Sequence, residues 1–141
     1  MFKIILVAYD GSEHSKKALL TSVSLSKAFG SRIVLVSVEE NVTHYAADIG
    51  EVKEEKQRLN GLFQRLQREA RETVKMSGMD LSGADILVGN VPRAIIEYAK
   101  TIKCDLIVMG SSGRSGAWVG LLGTTVDKVS HHAPCSVLIV R

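Results

Sequence analysis

Residues 2–19, FKIILVAYDGSEHSKKAL, decide the fold. The first eight are a near-continuous apolar run rich in branched residues, which is how a strand covered on both faces reads. Asp10-Gly11-Ser12 then makes a turn, with Ser12 as a helix N-cap. The amphipathic segment that follows reaches Phe29, with Ala18, Leu19, Val23, Leu25, Ala28 and Phe29 as its apolar side and Gly30 as its stop. A buried strand followed at once by a helix is half of a parallel β-α-β unit.

The same alternation continues. Residues 32–38 (RIVLVSV) are a second strand, followed by a polar stretch from Glu39 to Gly50 with the character of a mobile loop. The longest helix covers 51–76, with Leu59, Leu62, Phe63, Leu66 and Ala70 at helical spacing and a charged face that reads as solvated. Residues 84–88 (ADILV) are a third strand. Asn90-Val91-Pro92 opens a helix, with Asn as cap and Pro in the first turn, whose inward side is Ala94, Ile95, Tyr98, Ala99 and Ile102. Residues 105–109 (DLIVM) are a fourth strand, a last helix runs from near Gly123 to His132, and residues 136–140 (SVLIV) are a fifth strand. The order βαβαβαβαβ predicts an α/β fold, an open parallel five-stranded sheet with helices on both faces, formed by one domain over residues 1–141.

Bulk composition agrees with one ordinary domain. The chain has 141 residues, 45% apolar and 23% charged, so neither disorder nor a need for covalent staples is indicated. A net charge of +3 is too small and too scattered to point to nucleic acid, and aromatics at 5% leave few stacking platforms. The first apolar run is too short to span a bilayer and lacks a signal peptide's layout, so no membrane association is expected. Cys104 and Cys135, without CxxC spacing, read as small buried hydrophobes in a reducing, cytoplasmic compartment. His131 and His132 are adjacent and diverge on a helix, and His14 and His44 stand apart, so no metal site is expected.

In open parallel sheets, ligands bind beyond the carboxyl ends of the strands. Two such ends are unusual here: Asp10-Gly11-Ser12, and the segment from Gly110 to Gly123 with glycines at 110, 113, 116, 120 and 123. Glycine lets backbone amides approach an anion, and the helix opening at Gly123-Thr124-Thr125 offers free amides and a favourable dipole. Ser111, Ser112, Thr124 and Thr125 add neutral donors, and Arg114 a charge-assisted one. The alternative is a plain surface loop. No GK[ST] follows, so this is not a Walker loop. Asp10 has two readings, a turn former or an acceptor for ribose hydroxyls or Mg2+. No Ser-His-acid order and no GxSxG supports a hydrolase.

Gly110-x2-Gly113-x9-Gly123-Thr124 resembles the G-x2-G-x9-G-[S/T] motif of the ATP-binding branch of the universal stress protein family. ILVAYDGSEHSKKAL at the start and GTTVDKVSHHAPCSVLIVR at the end also resemble that family, so the likeness covers essentially the whole chain. It implies the strand order 3-2-1-4-5, with the ends of strands one and four side by side. It further implies that Asp10 contacts ribose, that the backbone around Val38 frames adenine, and that Gly110, Gly113, Gly123, Thr124 and Thr125 hold phosphates. It implies ATP as ligand, with Mg2+ as its companion, and a homodimer through Ser136–Val140, an apolar edge that pairing would protect. Tyr9 departs from the usual small or branched residue, and Trp118, inside the loop, is either a lid or a dimer anchor. Three functions are compatible: a nucleotide-dependent stress-response regulator acting on an unknown protein partner, a slow ATPase or phosphotransferase, or a nucleotide-free interaction module. The resemblance favours the first.

Overall fold

In the computed structural model, residues 1–40, 49–113 and 122–141 are described. Nine elements alternate along them: β1 (Ile4–Ala8), α1 (Glu13–Phe29), β2 (Arg32–Glu39), α2 (Ile49–Met76), β3 (Gly83–Val88), α3 (Val91–Ile102), β4 (Leu106–Gly110), α4 (Thr124–His132) and β5 (Ser136–Val140). The five strands form one sheet in the order β3-β2-β1-β4-β5, and every neighbouring pair is parallel. The fold class and strand order expected from the sequence are therefore those observed. Among the described residues, no helix is long and apolar enough to cross a membrane.

The central strand shows why its sequence is apolar throughout. Ile5, Leu6 and Val7 are all fully buried. Ile5 and Val7 face one core, shared with Ile33 and Leu35 of β2, Ala18, Leu19 and Val23 of α1, and Ala70 and Val74 of α2. Leu6 faces the other, with Val36, Ile107 and Met109 from the sheet, Ile95, Ile96 and Ala99 of α3, and Val126 and Val129 of α4. Alternation across the strand thus feeds two cores at once.

Two details of the helices differ from the sequence reading. The apolar side of α1 does not extend to its end: Ala28 is exposed, and Phe29 is 43% exposed, resting edge-on against Phe2 with ring centroids 5.7 Å apart. In place of a wider apolar stripe, α1 buries Ser15, Ser22 and Ser26. Their hydroxyls donate to the carbonyls of Ser12, Ala18 and Ser31, which removes the cost of burying them. On α3, Ile96 joins the buried set beside Ile95 and Ala99, while Tyr98 and Ile102 are only half-buried. The expected caps are present: Ser12 Oγ accepts from Ser15 N at 3.2 Å, and Asn90 Oδ1 accepts from Arg93 N at 3.2 Å.

The boundaries of β2 and β4 shift by one residue. Glu39 belongs to β2 and is buried, and the last two residues of the polar stretch open α2; residues 41 to 48, His44 among them, lie outside the described residues. Cys104 is buried as expected, whereas Cys135 is only half-buried. Asp105 stands just before β4. Its carboxylate accepts from Lys3 N at 2.8 Å and Ile4 N at 3.0 Å, tying the start of β1 to β4. Burial raises the pKa of Asp105, but the backbone donors outweigh it, and the net shift is downward.

A folded pKa below the unfolded one means that the stabilising share of Asp105 is complete above the unfolded carboxylate value, near ~3.9. It is lost as pH falls through the depressed folded value. Asp105→Ala should lower urea-unfolding stability at pH 7 by about 1 kcal/mol. The gap to wild type should close on acidification; a gap independent of pH would show that the carboxylate's charge is not what holds β1.

Candidate functional site

The carboxyl ends of β1, β2 and β4 open into a cleft of about 620 Å³, a volume typical of small-molecule sites. Its inner wall is apolar: Ala8, Val36, Val38, Val91, Ile95 and Met109. Leu59 and Phe63, from the middle of α2, also line it. The polar rim is Asp10, Ser12, Ser112, Gly113, Thr124 and Thr125, with Gly110 and Gly123 beside them. Asp10 and Glu40 are the charged groups among the described lining residues.

Strand order explains the convergence. β1 lies next to β4, so the turn after β1 and the glycine segment after β4 leave the sheet side by side. The approach is tight enough to dictate residue type. A Cβ at Gly110 would lie 2.5 Å from His14 Cβ and 2.7 Å from the backbone carbon of His14, in the first turn of α1. A Cβ at Gly113 would lie 2.8 Å from Asp10 Oδ2. Only bare backbone fits at either position without displacement.

Asp10 has a structural part as well as a position in the cleft. Its Oδ1 accepts from Ser12 N at 2.9 Å, holding the turn that starts α1, while Oδ2 faces Gly113. The turn-forming role weighed for it from sequence is thus present, and it leaves the carboxylate at the rim.

The opposite lip is the N-terminus of α4. Gly123 is its N-cap, in extended conformation, and no side chain caps the helix. The first-turn amides of an α-helix have no intrahelical acceptor, so those of Thr124, Thr125 and Val126 point outward as donors. Gly123 N donates to Ser111 O at 2.9 Å, which fastens this helix start to the end of β4.

The structure thereby brings Asp10, Val38, Gly110, Gly113, Gly123, Thr124 and Thr125 to one cleft. Arg114 and Trp118, with Gly116 and Gly120, lie outside the described residues. Ser111 is not among the residues that line the cleft. It is buried, and its backbone is spent inside the protein, its N donating to Val140 O of β5 at 2.8 Å and its O accepting from Gly123.

His14 was not singled out by sequence reasoning for any role at this site. Its Nδ1 lies 2.8 Å from Ser112 Oγ, so α1 holds the glycine segment both by contact and by a hydrogen bond. Nothing in the local sequence signals this, because the partners are 98 residues apart and meet only through strand order. Leu59 and Phe63 were legible as helix-face residues but not as a wall of the cleft. Among the described residues, no group of three or more His, Cys, Asp or Glu side chains could hold a metal ion.

Behind the cleft, α2 is pinned by a buried polar relay. Gln67 Nε2 donates to Asp85 O at 2.7 Å and to Ser37 Oγ at 3.3 Å, and Ser37 Oγ donates to Tyr9 O at 2.6 Å. Tyr9, at 4% exposure, is a core residue whose hydroxyl pKa is raised by burial and by Glu69, Asp10 and Glu13. Glu39, next to Val38, has an Oε1 buried without a hydrogen-bond partner, and burial raises its pKa.

Comparison with known proteins gives consistent matches. The family model described as "Universal stress protein family" matches residues 1–141. A Thermus aquaticus protein named "Universal stress protein in QAH/OAS sulfhydrylase 3'region" is 36% identical over 141 residues, covering 100% of both chains. Among solved structures, the universal stress protein UspA of Lactobacillus plantarum superposes with a TM-score of 0.88 at 24% identity, covering 99% of this chain and 97% of that one. A universal stress protein crystallised in complex with cAMP superposes with a TM-score of 0.76 at 24% identity, covering 99% and 96%.

The two glycines should respond differently to substitution. Gly110→Ala pushes into helix backbone and should cost about 1–3 kcal/mol in urea unfolding. Gly113→Ala meets only the end of the Asp10 side chain and should cost clearly less. Equal losses would mean that the first turn of α1 gives way freely.

Proposed function

The chain belongs to the universal stress protein family, and from that premise we propose that the cleft binds ATP with Mg2+, as a nucleotide-dependent switch in a homodimeric stress-response regulator. The observation that carries this reading is the meeting of bare glycine backbone, an uncapped helix N-terminus and an apolar wall in one nucleotide-sized cleft. Backbone amides and a helix dipole favour phosphate, and an apolar slot favours a purine.

In this reading the base lies against Val36, Val38, Val91 and Ile95, framed by the backbone around Val38. Asp10 accepts from the ribose hydroxyls. The amides at Gly110, Gly113 and Gly123, with Thr124 and Thr125, hold the phosphates, and Arg114 adds a charge-assisted contact. A polyphosphate beside Asp10 and Glu40 brings like charges together, which a divalent cation relieves. That a universal stress protein of the same fold is described in complex with cAMP supports an adenine nucleotide as the ligand class.

Binding rather than turnover is the favoured activity. Hydrolysis needs a positioned water and charge stabilisation at the terminal phosphate. Among the described residues the lining supplies donors and positioning but no lysine, which favours at most slow ATP hydrolysis. The switch has a physical path: Ser111 links the start of α4 to Val140 of β5 through two backbone hydrogen bonds. β5 is an edge strand, and Ser136–Val140 is the surface through which a second copy pairs, with a further protein partner reading the result. Two free thiols fit the reducing, cytoplasmic setting expected from the sequence.

Denaturation with and without ATP–Mg2+ tests the reading. At a ligand concentration of ~100 Kd, stability should rise by about 2.7 kcal/mol, and Gly113→Val should abolish the rise. No shift with any adenine nucleotide would leave only a nucleotide-free interaction module.

The His14–Ser112 contact makes a second, separable prediction. His14→Ala should weaken ATP affinity severalfold while the protein stays folded, and His14→Asn, whose amide reaches the same place as Nδ1, should recover most of it. Unchanged affinity in His14→Ala would show that the bond does not position the glycine segment.

A further inference from the structure

At the foot of the sheet, opposite the cleft, two thiols meet. Cys104 follows α3 and Cys135 follows α4, each just before one of the adjacent strands β4 and β5. Leu106 pairs with Ser136, so one step back sets Asp105 beside Cys135, with Cys104 a residue further along. The sulfurs are 3.8 Å apart and unbonded. Both side chains belong to the same core, on the α3 and α4 face. Joining them requires the sulfurs to close from 3.8 Å to about 2 Å.

The geometry points to Cys104 and Cys135 as a thiol pair that a hydroperoxide converts to a disulfide within one chain, Cys135 attacking and Cys104 resolving. Cys135 is half-buried and reachable, whereas Cys104 is 7% exposed. The surroundings of the two thiols favour the same roles. Burial and the nearby Asp105 carboxylate raise the pKa of Cys135, while the contact with Cys104 and the Ile107 backbone oppose that shift. Burial, with Cys135 alongside, pushes the Cys104 thiol up to about 12. The thiolate, not the thiol, is the nucleophile, so Cys135 reacts first, and slowly.

The chemistry balances. The Cys135 thiolate attacks one oxygen of the hydroperoxide, the O–O bond breaks, and Cys135 becomes a sulfenic acid while the alkoxide leaves and takes the thiol's proton. The Cys104 sulfur then attacks the Cys135 sulfur, the S–S bond forms, the S–O bond breaks, and hydroxide leaves with the Cys104 proton as water. Two thiols and one hydroperoxide give one disulfide, one alcohol and one water.

The new bond closes a covalent ring over residues 104–135, which holds β4, the glycine segment and α4. Cross-linking so long a segment removes freedom from the unfolded chain. Oxidation therefore stabilises the fold against unfolding of the part that carries the glycine lip of the cleft.

The test is hydrogen peroxide on the purified, reduced chain. Both thiols should disappear from a thiol titration, the mass should fall by two hydrogens on a monomeric band, and digestion should yield a Cys104–Cys135 linked peptide. The Tm should rise, and dithiothreitol should reverse every change. Cys104→Ser should stop at a dimedone-reactive sulfenic acid on Cys135, and Cys135→Ser should leave Cys104 unmodified. Survival of both thiols in the wild type, a disulfide between chains, or dimedone labelling of Cys104 in Cys135→Ser would each overturn the proposal.

Discussion

The contact between the end of β4 and the first turn of α1 is the constraint on which the site depends. Gly110 presses on His14 so closely that a single methyl group would meet helix backbone. That closeness sets Gly113 against Asp10 and Ser112 against His14. It also places the uncapped start of α4 across from the turn after β1. If α1 stood further from β4, its apolar contacts would weaken only gradually, but the convergence of backbone donors would be lost at once.

This constraint rests on a parallel sheet whose class was legible from residues 2–19 onward, and whose strand order the family resemblance implied. An apolar run, a capped turn and a helix, repeated, leave few topologies for a parallel sheet. The caps at Ser12 and Asn90 needed no tertiary knowledge, because their partners lie three residues away. The apolar side of α1 was less legible. Hydrophobicity alone assigned Ala28 and Phe29 to it, whereas the buried stripe runs through Ser15, Ser22 and Ser26. A serine that bonds a nearby carbonyl can be buried like an alanine, and the sequence does not say which serines do so.

The candidate site divides along the same line. Gly110, Gly113, Gly123 and Asp10 were visible because their residue types are unusual at strand ends. His14, Leu59 and Phe63 were not, because their types are ordinary and only their meeting is informative. Ser111 reads from sequence as a donor beside glycines; in the fold its backbone ties the end of β4 to β5 and to the start of α4, a role that its residue type does not signal. The relay of Gln67, Ser37 and Tyr9 was likewise invisible, since it joins α2, β2 and the end of β1 across the core.

The serine stripe has a consequence for how the chain can vary. Where leucines line a helix, they act as a compressible spacer, and one lost methylene is partly absorbed by neighbours settling in. Hydroxymethyl stubs leave no such slack. At 15, 22 and 26 the buried space holds only a hydroxymethyl group, so volume added there would press on its surroundings. Drift through sequence space should accordingly be freest on the outward side of α1 and narrowest at its smallest buried residues.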